Sequence, residues 1–306
     1  MQENKMGTND LVLIAAGLLP AIALCIYVYI KDRNEKEPIW FLLLLFAAGA
    51  FCCFPALLLE RGIESALNSM FAGSMIVENG ELYMQAGPYY AYHVLDNYFG
   101  VALVEEGLKW LALFLLTRNS RHFNSLFDGL IYAVFVSLGF AAYENVQYVL
   151  TYGLQTALVR SYSAVPGHMF NAVFMGYFYT LWHLYRFVRR AEGSLVKSGT
   201  IACRNMNAHF NSVSLGWLLA LSLIVPVIIH GTYDFCLSID SVLAYIFFYV
   251  MLIALYVLCF IRIHKLSKSD NSQDNLAVVM LTAAHPELAS VFGILNGNSG
   301  NTVGRF

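Results

Sequence analysis

Apolar residues fall in long, nearly unbroken runs along this chain, at about 11–30, 39–59, 101–117, 127–151, 166–187, 213–236 and 241–263. Each is near the length, about 20 residues, that an α-helix needs to cross the hydrocarbon core of a bilayer. The pattern predicts an all-α, polytopic membrane helix bundle of about seven transmembrane helices. The loops alternate in basic content. KDRNEKEP (31–38), RNSRHFN (118–124), RFVRRAEGSLVKSGTIACRN (186–205) and RIHKLSK (262–268) carry most of the Lys and Arg. The long 60–100 segment sets Arg61 against Glu60, Glu64, Glu78 and Glu81. The 152–165 loop has only Arg160, and 237–240 has no basic residue. By the positive-inside rule the N-terminus lies outside and the C-terminus inside. Residues 1–264 then form the membrane domain, with 60–100 external, and 265–306 form a cytoplasmic tail.

Shorter signals refine this layout. VENGELYM carries an Asn-Gly turn and predicts a hairpin. PYYAYHVLDNYF is aromatic and reads as an interfacial stretch leading into the third span. LAVVMLTAAHPELASVF predicts a short helix in an otherwise flexible tail. The flank MQENKMGTND is not basic and no small-x-small site follows the first run, which reads as a retained anchor.

Composition agrees with a lipid environment. The 306 residues are 58% hydrophobic and 12% charged, about half the charge of a soluble domain, and the mean hydropathy is +0.60. The net charge of −2 comes with no basic cluster, so the bilayer rather than nucleic acid is the implied partner. The six cysteines form no CxxC pair, which excludes a four-cysteine zinc site and a disulfide framework.

Against that background a few polar residues stand out. VALVEEGLKWLALF (101–114) places Glu105, Glu106 and Lys109 in an apolar run. Glu144 and Asn145 lie in the fourth run, His168 and Asn171 in the fifth, and His230 and Asp234 in the sixth. An ionisable group inside a bilayer costs about 2.5–3.5 kcal/mol on insertion scales. With the predicted orientation, the carboxylates and both imidazoles share one outer-leaflet layer. Glu105 and Glu106 lie four and three residues before Lys109, so the lysine can neutralise a carboxylate. His230 and Asp234 share a helix face. Two imidazoles and a carboxylate form an open zinc set, and a glutamate pair in low dielectric suits a general base. A metal-free site, with Glu as base and His as oxyanion stabiliser, is the alternative. Asn145 is placed to hydrogen-bond an oxyanion, although Asn145 and Asn171 also suit interhelical bonding. His183 lies apart, and Asp128 reads as a helix N-terminal charge.

Three spaced motifs carry a resemblance. EEGLK (105–109) fits EExxK, FAAYE (140–144) fits FxxxE, and HGTYD (230–234) fits HxxxD. In that order on separate helices they resemble the PrsW family of intramembrane metalloproteases, within the superfamily of CAAX proteases and bacteriocin-immunity proteins. YIKDRNEKEP and PGHMFNAVFMGYFY are similar too, and the likeness spans roughly residues 10–262. It implies a bacterial cytoplasmic-membrane protease that cuts a single-span anti-sigma factor near the external face. Glu105 and Glu106 would be its catalytic carboxylates, assisted by Lys109 and Asn145. Glu144, His168, His230 and Asp234 would hold a divalent metal, most simply zinc. The rivals are a proton-coupled transporter and a non-catalytic immunity or stress-sensing protein on the same scaffold.

Overall fold

Among the described residues, five helices are long and apolar enough to cross a membrane. They appear in a computed structural model that describes residues 8–33, 35–78, 81–204 and 214–292. The first is α1 (Thr8–Lys31), with Asp10 in its first turn and Lys31 in its last, each favoured by the helix dipole. α2 (Ile39–Phe71) runs well past the apolar stretch and takes Glu60, Arg61 and Glu64 into the helix, so much of the expected external segment continues a span. The Asn-Gly hairpin forms as β1 (Met75–Glu78) paired antiparallel with β2 (Glu81–Met84). The aromatic stretch is helical: α3 (Ala86–Val94) passes through a π-helical segment (Leu95–Ala102) into α4 (Leu103–Thr117).

α5 (Asp128–Tyr152) is the central helix, buried at every position from Asp128 to Ala142. Two glycines let α2 approach it. A Cβ on Gly49 would lie 1.8 Å from the Val136 carbonyl oxygen, and one on Gly139 would lie 1.9 Å from that of Phe46. Such close backbone contact through small residues drives helix association where lipid removes the hydrophobic force.

Gly153, at φ 86, breaks the chain between α5 and α6 (Leu154–Tyr162). The 152–165 stretch expected as a loop is therefore mainly a short helix, with Leu154, Leu158 and Tyr162 exposed. α7 (Ala164–Lys197) extends beyond its predicted span. α8 (Leu215–Ser238) is capped by Ser214, whose side chain accepts from the Trp217 amide, and α9 (Val242–Ser269) follows. The all-α polytopic bundle is thus observed. α4 and α7, the other two predicted spans, carry Glu105, Glu106, Lys109 and His168 and are not among those five; α4 by itself has 15 residues and continues the π-helical segment before it.

The described part of the tail is helical. α10 (Gln273–Ala284) and α11 (Leu288–Val291) pack Ala277, Leu281 and Leu288 onto Leu184, Val188 and Leu195 of α7. His285 Nε2 lies 2.8 Å from Glu192 Oε1. His183 stacks on Phe123 at 3.8 Å and accepts from Gln273, a packing role away from the polar layer. Asp128 does more than complement a dipole. Its Oδ2 accepts from the amides of Asn124 and Ser125 at 2.7 Å each, and Oδ1 accepts from the Ser125 hydroxyl at 2.6 Å. These bonds fix the turn that starts α5.

Candidate active site

Glu105 and Glu106 lie in the first turn of α4, directly after the π-helical segment. Such segments often occur at functional sites because they re-aim the side chains that follow. One turn on, Lys109 is fully buried and holds both carboxylates. Its Nζ lies 3.1 Å from Glu105 Oε2 and 2.7 Å from Glu106 Oε1. The same nitrogen is 3.2 Å from His168 Nδ1 of α7 and sits over the Phe140 ring of α5 at 4.2 Å. An isolated ammonium would be costly here; three polar partners and an aromatic face compensate it.

The network continues on both sides. His168 Nε2 lies 2.9 Å from Glu144 Oε2, and the Arg160 guanidinium of α6 is 2.8 Å from that same oxygen. On α8, His230 Nδ1 is 2.8 Å from Glu106 Oε1, and Nε2 is 3.1 Å from Asp234 Oδ2. The two imidazole centroids are 5.5 Å apart. The structure therefore brings Glu105, Glu106, Lys109, Glu144, His168, His230 and Asp234 into one connected cluster drawn from four helices.

A cavity of about 500 Å³ opens against this cluster. Glu105, Glu144, Asn171, His168, His230 and Asp234 all line it. Glu106 and Lys109 lie behind that wall, both at 0% exposure. Two further charged residues line the cavity that sequence reasoning did not single out. Arg160 was read only as a lone loop charge, yet it reaches Glu144 and stacks on Tyr148 at 3.9 Å. Glu60 is expected among the acids of the external 60–100 segment, yet its Oε1 is buried with no hydrogen-bond partner. The signal for Arg160 was its isolation in a loop otherwise free of bases.

Asn145 is placed differently from its expected oxyanion role. It is fully buried and does not line the cavity. Its Nδ2 donates to the Gly17 carbonyl at 2.7 Å, and its Oδ1 accepts from Arg160 Nε at 2.9 Å. One residue beyond Glu144 is about 100° further round the helix, which turns Asn145 toward α1.

The donor set fits a divalent cation. Among the described residues, one ligand atom from each of Glu105, Glu106 and His168 lies within 4.8 Å of the other two. Glu106 Oε2 is buried without a hydrogen-bond partner. The far nitrogen of His168 is held by a carboxylate, the arrangement that orients metal-bound imidazoles. This trio shares only His168 with the expected ligands Glu144, His168, His230 and Asp234. Glu144 is committed to His168 and Arg160, and Asp234 to His230.

A family model described as PrsW family intramembrane metalloprotease matches residues 37–260. Protease PrsW of Bacillus subtilis is 30% identical over 226 residues, covering 74% of this chain and 83% of that protein. Protease PrsW of Oceanobacillus iheyensis is 29% identical over the same shares of the two chains. Protease PrsW of Clostridioides difficile is 29% identical over 266 residues, 86% of this chain and 92% of its own length. No solved structure matches.

Proposed function

The chain belongs to the PrsW family of intramembrane metalloproteases, and from that premise we propose that it cuts a single-span membrane protein in the cavity beside Glu105. One observation carries the reading: of the two adjacent glutamates, Glu105 lines the cavity while Glu106 is sealed behind it. Glu105 accepts the proton of the attacking water at its carboxylate. Glu106, His168 and the second oxygen of Glu105 would hold the divalent cation, zinc by the chemistry of the donors. When bound, such an ion polarises the peptide carbonyl and acidifies water.

The other residues orient and neutralise. Glu144 and Asp234 fix the two imidazoles through His168 Nε2 and His230 Nε2. Lys109 neutralises the glutamate pair when no divalent cation lies between them. His230 passes a proton to the leaving amine and is reprotonated by the one that Glu105, whose Oε2 lies 3.9 Å from His230 Nε2, took from water. Asn171, which lines the cavity and whose Nδ2 donates to Glu106 Oε1 at 3.4 Å, takes the oxyanion role in place of Asn145. The substrate helix must unwind locally, since its carbonyls are otherwise bonded within the helix. A proton-coupled transporter would need polar residues along a path through both leaflets. Between Leu130 and Ala142 the buried polar groups of α5 are two hydroxyls, Tyr132 bonded to Glu37 at 2.7 Å and Ser137 bonded to the His168 carbonyl at 2.8 Å; the stretch carries no carboxylate, imidazole or amine, and this favours the protease.

By orientation of the basic loops, the cut falls near the external face, and by family likeness the substrate is an anti-sigma factor in a bacterial cytoplasmic membrane. The test is reconstitution of the purified full-length chain in proteoliposomes with a single-span anti-sigma factor and mass mapping of the products. Cleavage within a few residues of the outer membrane boundary, abolished by chelation and restored by zinc, is the expected result. Cleavage that persists after exhaustive chelation would replace the metal mechanism by the metal-free one. Cleavage on the opposite side would overturn the orientation.

A further inference from the structure

The position of Lys109 has a consequence for how a metal ion enters. The three side chains that could close on a divalent ion, Glu105, Glu106 and His168, are the same three whose polar atoms already close on the Lys109 ammonium, at 3.1, 2.7 and 3.2 Å. All four residues are buried. We propose that Lys109 is an internal competitor for the metal position, and that the ion binds only when the ammonium withdraws.

The argument is one of space and charge. A divalent transition-metal ion needs its oxygen and nitrogen donors at about 2.0–2.2 Å. Three donors already within 4.8 Å of one another could draw in to that distance, but not with an ammonium in contact with all three. Two cations sharing one low-dielectric hollow would also repel strongly. The lysine has somewhere to go. It is a long, flexible side chain, and the Glu105 carboxylate it holds lines the same cavity as Glu60. Glu60 lines the cavity and has a buried, unpartnered oxygen. The ammonium in the hollow neutralises two carboxylates while no ion is bound, so the site need not collapse or misfold before it is loaded. The same contact sets a threshold of metal activity below which the site stays closed.

This inference rests on the metal reading above, and its test separates the two. Zinc affinity of the purified full-length chain in detergent is measured by competition with a chromophoric chelator, for the wild type, Lys109→Met and Arg160→Met. Arg160→Met removes a nearby positive charge that touches neither Glu105 nor Glu106. The expected result is about tenfold or tighter binding in Lys109→Met, with a change under about threefold in Arg160→Met. Equal tightening in both variants would reduce Lys109 to a general electrostatic effect and overturn the competition. So would unchanged or weaker binding in Lys109→Met. A second measurement needs no variant: reductive dimethylation of wild-type protein with and without zinc, read at Lys109 by mass spectrometry. Lys109 should be modified more with zinc bound, because it has left a fully buried position; equal or lower modification counts against the proposal. If no form binds zinc at stoichiometric levels, the metal reading itself fails, and the competition fails with it.

Discussion

Two clusters of buried and half-buried carboxylates lie at opposite ends of α5, and they are satisfied in opposite ways. At the cavity, Glu105, Glu106, Glu144 and Asp234 are matched by Lys109, Arg160 and two imidazoles. At the tail end, Asp32, Glu37, Asp128 and Asp270 are all buried as well. Among the described residues no Lys or Arg forms an ion pair with Asp32, Glu37 or Asp128. Backbone amides and hydroxyls bind them instead: Glu37 N to Asp32, Tyr132 to Glu37, Asn124 N and Ser125 N to Asp128, and Phe127 N to Asp270. Amide donors are fixed by the fold, so these carboxylates tie the 31–38 loop, the turn before α5 and the end of α9 together. Charged side chains can move, so the cavity cluster can exchange partners with a substrate, a proton or an ion. Burial of acids is common to both ends; among the described residues, the mobile counter-charges that can be named, and the cavity beside them, belong to the first.

The comparison breaks first at Glu105. Glu105→Gln keeps the shape and removes the proton acceptor. Loss of a general base costs about 10²–10⁴-fold in rate. Cleavage in proteoliposomes should fall by that factor while the melting temperature moves little. If both Glu105→Gln and Glu106→Gln cleave at the wild-type rate, the cavity cluster is scaffold like its counterpart. Next comes His168→Ala, which removes the one residue shared by both readings of the ligand set. Bound zinc, assayed by elemental analysis, should drop to background together with activity, since two carboxylates alone hold zinc poorly. Full retention of zinc would move the ion to other donors.

How far the sequence led explains where such tests are needed. The bundle was legible because a lipid-crossing helix must be apolar throughout, and the charged residues on α4, α5, α7 and α8 stood out against that demand. Depth in the membrane follows from counting residues along a span, so the shared layer was legible too. Rotation about the helix axis was not. Asn145 has nearly the depth of Glu144 but faces α1. The grouping of Glu105 and Glu106 with His168, rather than of both histidines with Glu144, also depends on rotation. Arg160 and Glu60 escaped because they lie where charge is ordinary, in a loop and at a span's edge. The tail-end cluster escaped for the same reason: Asp32 and Glu37 belong to a polar loop, and nothing local marks them as buried.

At that end the predicted effect is on folding. Asp128→Ala removes the acceptor for two backbone amides and one hydroxyl. Leaving buried donors unsatisfied costs about 1–3 kcal/mol each, and some will find water at the membrane edge. A loss of about 2–4 kcal/mol in unfolding free energy is expected, with an unchanged cleavage rate per folded molecule. A variant that stays stable yet loses cleavage would join the two ends into one functional unit.

The smallest effect concerns pH. Burial, reinforced by the neighbouring Asp128 carboxylate, pushes the Glu37 carboxyl up to about 8, although the Tyr132 hydrogen bond opposes the shift. An acid whose folded value lies above its unfolded value holds more protons when folded, so stability falls as pH rises between those two values. For Glu37 the window runs from about 4.5 to about 8, the ordinary and folded values. Below it the carboxyl is neutral in both states and its burial is uncharged; above it the full penalty is present and constant. Glu37→Gln keeps the side-chain oxygen that accepts from Tyr132 and removes the titration. Thermal unfolding of the wild type between pH 5 and 8.5 should show a declining midpoint, and Glu37→Gln should flatten that slope. The charged cavity cluster is unchanged in this variant, so cleavage rates at each pH, corrected for folded protein, should overlay those of the wild type. An undiminished slope in Glu37→Gln would assign the titration to another group.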